Sequence, residues 1–238
     1  MVKIESPVDY TLDVIPKDLI KGKRHLKPEE IEVLEKNLNH NDDPTWNNFF
    51  VDDSENGFDP SLIHFSFFSG FIILGKIQKL VLRYNDLKLE CGIRRSKLSN
   101  IVTGDLCVIR NVYYLDNYRL GDRVILFNIN EMSCTNHAKF GNGILKKGEP
   151  EEHRIWIGVA NENEGRKILP FEKMIPADAY LWSHYREDPV LLRRFQEITE
   201  YGFSTEFDTY GIIGNDVVIK NVLNTGIDVV ATRNVERI

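Results

Sequence analysis

Cysteine is scarce in this sequence. Cys91, Cys107 and Cys134 are the three present among 238 residues. An odd number at wide spacing builds no disulfide framework and fits a reducing compartment. A long apolar run is also missing. The most apolar stretch, Phe65 to Leu74, is too short to span a bilayer and is broken by Ser66, Ser69 and Gly70. The first ten residues, MVKIESPVDY, are polar and acidic, without the basic start and apolar centre of a secretory signal. These absences point to a soluble cytoplasmic protein. There is no basic excess either: 30 Lys and Arg stand against 36 Asp and Glu, a net charge of -6. A general nucleic-acid binder or a polybasic membrane-surface protein carries the opposite balance, so neither partner is expected. What is there is ordinary for a globular chain, 42% apolar and 28% charged, which excludes a collagen-like or wholly disordered protein.

Along the chain, residues 1–57 read as an N-terminal arm and a helix. The arm shows no sustained period. The segment KPEEIEVLEKNL then sets Ile31, Leu34 and Leu38 on one helical face, with Pro28 suited to the first position. Lys27 is a poor N-cap. The loop NHNDDPTWNN follows, with Trp46 as its packing anchor. From Phe58 onward, short β-branched and aromatic runs alternate with Gly, Asn and Asp. Residues 141–209 interrupt that texture with an acidic loop, a strand-like IWIGVA and a helix capped by Asp188 and started by Pro189. It resumes over 210–238 and runs to Ile238 without a capping element, which reads as an end covered by a partner or as an array cut short.

Three segments align without gaps: Gly104 to Ile109, Gly121 to Leu126 and Gly214 to Ile219. Each follows the pattern Gly-Asp/Asn-x-small-x-aliphatic. The first two lie 17 residues apart. That spacing approximates three six-residue sides of a triangular coil. The expected fold is therefore mainly β, a parallel β-helix of hexapeptide repeats. Its first coils are placed at 58–140 and a further coil at 210–238. In this reading the Gly-Asp pairs form corners with positive φ, and the cluster Phe65, Phe67, Phe68 and Phe71 is core or the cover on the first coil.

An ordered set of segments carries a resemblance. LKPEEIEVLE, FSGFIILG at Phe68 to Gly75, GIRRSKLSNIVTGDLCVIRNV at Gly92 to Val112, NYRLGD at Asn117 to Asp122, FGNG at Phe140 to Gly143, NENEGR at Asn161 to Arg166 and GNDVVIKN at Gly214 to Asn221 stand in sequence. Together they resemble the N-terminal part of a bacterial family of unknown function with a predicted left-handed β-helix, sometimes labelled sugar-nucleotide-transferase-like. The chain departs from that pattern at Lys27 and Glu164. The resemblance implies left-handed coils and, where such proteins are enzymes, trimers using one histidine as general base.

Several residues are candidates for chemistry. His137, in NHAKFGNG, stands where the chain leaves the second repeat and is the candidate catalytic base, or else a solvated loop histidine. FGNG offers the backbone of Asn142 and Gly143 to a phosphate, or forms a corner. NENEGR gathers Asn161, Glu162 and Arg166. Arg166 suits a bidentate phosphate contact and Glu162 a base or a sugar-hydroxyl acceptor; the alternative is a polar hairpin turn. Arg94 and Arg95 alternate faces if strand-borne, so one points outward as an anion contact or as solvated surface. Cys134 and His137 make half a zinc pattern without a second pair, so no metal is expected, and nothing calls for a cofactor.

Two functions follow. The first is a transferase using a nucleotide-sugar or acyl-CoA donor. The second is a non-catalytic scaffold or ligand-binding protein that assembles through its open end. Either expects a homo-oligomer, dimer or trimer, and a phosphate-containing small molecule.

Overall fold

Local signals build the first elements. Strand β1 (Lys23–His25) leads into helix α1 (Pro28–Lys36). Lys27 has no side-chain acceptor, so the cap is made in reverse. Glu30 accepts the Lys27 N–H at 2.8 Å, and Arg24 grips the same carboxylate with two bonds of 2.7 and 2.8 Å. Leu34 buries the apolar face, and the chain leaves the helix through Leu38 at φ 59. A computed structural model describes residues 18–135, 138–139, 143–159, 165–171, 173–201 and 210–222. They form two compact units. One holds the described residues up to Cys134 together with those from Tyr210 on, and the other those from Thr135 to Tyr201.

The strands that follow are short. They are β2 (His40–Asn41), β3 (Phe49–Asp52), β4 (Ile63–His64) and β5 (Phe67–Ile73). Next come β6 (Val81–Tyr84), β7 (Leu87–Glu90), β8 (Gly92–Arg94) and β9 (Lys97–Thr103). Two longer strands, β10 (Val108–Asp116) and β12 (Ile125–Ser133), flank β11 (Tyr118–Leu120). The second unit holds β13 (Ile157–Gly158), β14 (Lys167–Ile168), α2 (Pro176–His184) and α3 (Pro189–Glu200). The first unit ends with β15 (Gly211–Ile213) and β16 (Val218–Val222).

Twelve strands of the first unit join in one mixed sheet, curled into a half-barrel. Its main path runs β1-β3-β5-β9-β10-β12-β16. The β1–β3 pair is antiparallel, and the other pairs on the path are parallel. Aligned rungs bury the core. Ile63, Ile93, Ile109 and Leu126 stack across β4, β8, β10 and β12; Phe68, Leu98, Leu115 and Met132 stack across β5, β9, β10 and β12. Each such side chain contributes about 1.5–3 kcal/mol through burial. The antiparallel hairpin β6–β7 adds Leu89 to a cluster with Cys91, Val108 and Ile125.

This sheet overturns the expected left-handed, hexapeptide-repeat β-helix. Such a solenoid needs equal six-residue sides, every one parallel to its neighbours. Here strands range from two to nine residues, and β1–β3, β6–β7 and β13–β14 are antiparallel. The nine-residue ladder between β10 and β12 continues through left-handed Asn111 and Asn128. A left-handed residue bends a strand without ending its pairing, so the strips merge into one curled sheet. The three aligned segments do lie side by side: Val108 pairs Ile125, which pairs Val218. Their alignment sets a register, not a six-residue period.

The glycines of those segments also act differently from expectation. Positive φ falls two residues later, on Leu106, Arg123 and Asp216. Gly104 and Gly121 are required by close approach of the backbone. A Cβ on Gly104 would sit 2.5 Å from the Gly121 carbonyl carbon, and one on Gly121 would sit 2.7 Å from that of Gly214.

In the second unit, Asp188 caps α3 by accepting from the Val190 and Leu191 N–H groups at 3.0 and 3.1 Å. Ile168, Leu169, Trp182 and Phe195 form its core.

Candidate functional site: a groove of rings and cations

One edge of the half-barrel carries a column of left-handed residues. Arg94 pairs Arg110, Arg110 pairs Phe127, and Phe127 pairs Lys220. The residues that follow them, Arg95, Asn111, Asn128 and Asn221, all have φ between 50 and 59. The Arg95 N–H donates to the His64 carbonyl and the Phe65 N–H to the Asn37 carbonyl, both at 3.0 Å. Phe65 (φ 52) and Leu38 (φ 59) therefore extend the same column. Asparagine tolerates this backbone, and Asn111, Asn128 and Asn221 link their amides at 3.1 and 3.4 Å. Leu, Phe and Arg do not tolerate it, at about 1–2 kcal/mol each. Leu38 and Phe65 are nonetheless 56% and 55% exposed. Core packing does not hold these side chains in their strained positions.

They line an open groove of about 930 Å³. Phe67 and Tyr113 add further exposed rings, Tyr113 at 77%. Arg95 and Lys97 add positive charge. The Lys97 Nζ lies 5.6 Å from the Phe67 ring centroid and 5.4 Å from that of Tyr114. Glu131, on the rung opposite Tyr114, places a carboxylate at the far side. A bulge shapes this wall. From the Arg94–Arg110 pair to the Leu98–Leu115 pair, β10 uses one more residue than the facing stretch of β8 and β9, and bulges re-aim side chains in this way. Ser66 and Ser96 form the buried floor with their hydroxyls committed to the His64 and Arg94 carbonyls, each at 2.9 Å. A ligand here meets ring faces and two cations.

The sequence-derived candidates fall elsewhere. Arg94 is on β8, bonded to Glu90, and does not line the groove. Gly143 is buried in the second unit, its N–H donated to the Pro170 carbonyl at 2.9 Å and its carbonyl accepting from Arg154 at 2.8 Å. Arg166 lines a separate cleft of about 190 Å³ in the second unit, with Trp156, Lys167 and Arg186. His137, Asn142, Asn161 and Glu162 lie outside the described residues. Sequence reasoning missed Phe65 and Phe67, assigned to the core or its cover because aromatic clusters usually are core. Of that cluster Phe68 is buried, while Phe65 and Phe67 face outward. No sequence period carries the signal; only the register shows Phe65 in a position that asparagine occupies in later rungs.

The Cys91 and Cys107 thiols do not make a nucleophilic site. Burial pushes Cys107 up to about 12 and raises Cys91 as well. Among the described residues no group of three or more His, Cys, Asp and Glu is gathered to hold a metal ion. Nor is any helix among them long and apolar enough to cross a membrane.

A family model described as "Domain of unknown function (DUF4954)" matches residues 23–235. The chain belongs to this family. A relative is an uncharacterized protein of Treponema pallidum (strain Nichols), 42% identical over 198 residues, which are 83% of this chain and 27% of that protein. The chain thus spans about a quarter of the length of the curated relative it matches. No solved structure matches. The DUF4954 assignment, with the mixed half-barrel, replaces the resemblance to a hexapeptide-repeat, sugar-nucleotide-transferase-like family.

Proposed function

We propose that this DUF4954 chain is a ligand-binding module whose groove takes a nucleoside diphosphate or a nucleotide-sugar. One observation carries the reading: Leu38, Phe65 and Arg95 keep large exposed side chains on a backbone that disfavours them. Strain held at an exposed concave surface points to use there. The chemistry of the lining supports the ligand class. Phe65, Phe67 and Tyr113 offer ring faces for a base, worth about 1–3 kcal/mol by stacking. Arg95 and Lys97 suit a diphosphate, and Glu131 suits a sugar hydroxyl. Cys91 and Cys107, buried thiols outside any disulfide, favour the cytoplasm as the place of work.

Calorimetric titration with uridine, cytidine, adenosine and guanosine diphosphates, and with a nucleotide-sugar, tests the reading. Saturable heat is expected from at least one. Phe65→Asn is expected to weaken that binding about tenfold, or ~1.4 kcal/mol. The same change is expected to stabilise the fold by about 1 kcal/mol, because asparagine accepts the left-handed backbone. No saturable heat from any of these ligands, or full binding by Phe65→Asn, overturns it.

A further inference from the structure

Around the corner from the groove, two arginines face each other. Arg94 and Arg110 occupy the same rung of β8 and β10, strands that lie about 4.8 Å apart. Like charges on opposing rungs repel. Arg94 donates one Nη2 bond to Glu90. Among the described residues Arg110 has no side-chain hydrogen bond or ion pair, and the Nε atoms of both arginines are buried without a partner. The adjoining rungs bring no further acid. His64 pairs Arg94 on one side, Phe127 pairs Arg110 on the other, and Lys220 pairs Phe127. The β6–β7 hairpin reaches this strip, with the Tyr84 ring 5.9 Å from the Lys220 Nζ.

Among the described residues Glu90 is thus the one carboxylate for Arg94 and Arg110 together. A half-buried cation without a counter-charge is costly, and so is a buried donor without an acceptor. An oxyanion removes both costs at once, because each planar guanidinium presents paired donors matched to phosphate oxygens. We propose that Arg94 and Arg110 form a phosphate-binding site, one phosphoryl group being held between the two guanidinium groups. Burial, and then the charge of Arg94, lowers the Arg110 pKa, and the attraction of Glu90 offsets this only in part. Neither arginine lines the groove, so this inference stands apart from the nucleotide reading.

Inorganic phosphate titrated into the 238-residue chain at constant ionic strength, with chloride as the balancing salt, tests the site by calorimetry and thermal unfolding. Wild-type protein is expected to bind saturably, with Tm rising roughly 5 to 10 °C at 100 times Kd. Arg110→Met is expected to lose that response while melting at or above the wild-type temperature in chloride, because it removes an unpaired, half-buried charge. Glu90→Gln releases Arg94 from its carboxylate and is expected to tighten phosphate several-fold, a result that does not depend on Arg110→Met folding. Absence of phosphate-specific heat in both wild type and Glu90→Gln overturns the proposal. So does a response that persists in Arg110→Met, and one abolished by Lys97→Met instead, which assigns the phosphate to the groove.

Discussion

Glu30 shows how a residue poor in local support is held by distant chemistry. Burial raises its carboxyl pKa, yet the bidentate Arg24 contact and the Lys27 N–H outweigh that and hold it below the ordinary value of 4.5. A carboxylate depressed in the folded state adds stability above its unfolded pKa and loses it as pH falls through the folded value. Arg24→Met leaves Glu30 buried without its partner and is expected to cost about 1–3 kcal/mol at neutral pH, read by urea unfolding. The gap between variant and wild type should close as the pH drops below about 4.5. A gap independent of pH would show that Arg24 acts through packing alone. The sequence showed Lys27 to be a weak cap. It did not show that Glu30 and Arg24, six positions apart, replace the missing acceptor, because a side-chain reach of that kind depends on how β1 enters the helix.

At the scale of elements, the Gly-Asp/Asn segments were legible as neighbours and misread in mechanism. Their shared pattern places Ile109, Leu126 and Ile219 on successive rungs. The reason for glycine is the approach of one backbone to the next. That gives a contrast between two glycines of one motif. Gly121→Ala would drive a Cβ to 2.7 Å from the Gly214 carbonyl carbon, and is expected to cost about 1–3 kcal/mol through backbone displacement. Among the described residues a Cβ at Gly214 meets nothing within 4 Å, so Gly214→Ala is expected to stay within about 1 kcal/mol of wild type. Equal effects in chemical denaturation would return the motif to a purely conformational role. The left-handed column was invisible for a related reason. Its members stand at positions 38, 65, 95, 111, 128 and 221, spacings set by loops of unequal length that no single period describes.

At the scale of the molecule, two cores are present. Trp46 is buried among Phe49 and Phe68 in the first unit, and Trp182 stacks on Phe195 at 4.8 Å in the second. Each is a local reporter. Guanidinium unfolding of Trp46→Phe, which keeps Trp156 and Trp182 of the second unit, and of Trp156→Phe/Trp182→Phe, which keeps Trp46 alone, followed by fluorescence, is expected to give different midpoints, as befits units with separate apolar clusters. Coincident transitions would mean that the chain unfolds as one cooperative body.

The sequence by itself determined the β-rich texture, the helix starts at Pro28 and Pro189, and the neighbouring placement of the three Gly-Asp/Asn segments. Each of these rests on short-range propensity or on similarity between segments. Only the tertiary structure decided that the strips merge into a mixed half-barrel, because a left-handed residue can bend a ladder as readily as it can end one. It alone decided that Phe65 and Phe67 are surface and Phe68 is core. It also brought Arg94 against Arg110, since which side chains share a rung depends on how β8 and β10 pair and not on nearness along the chain.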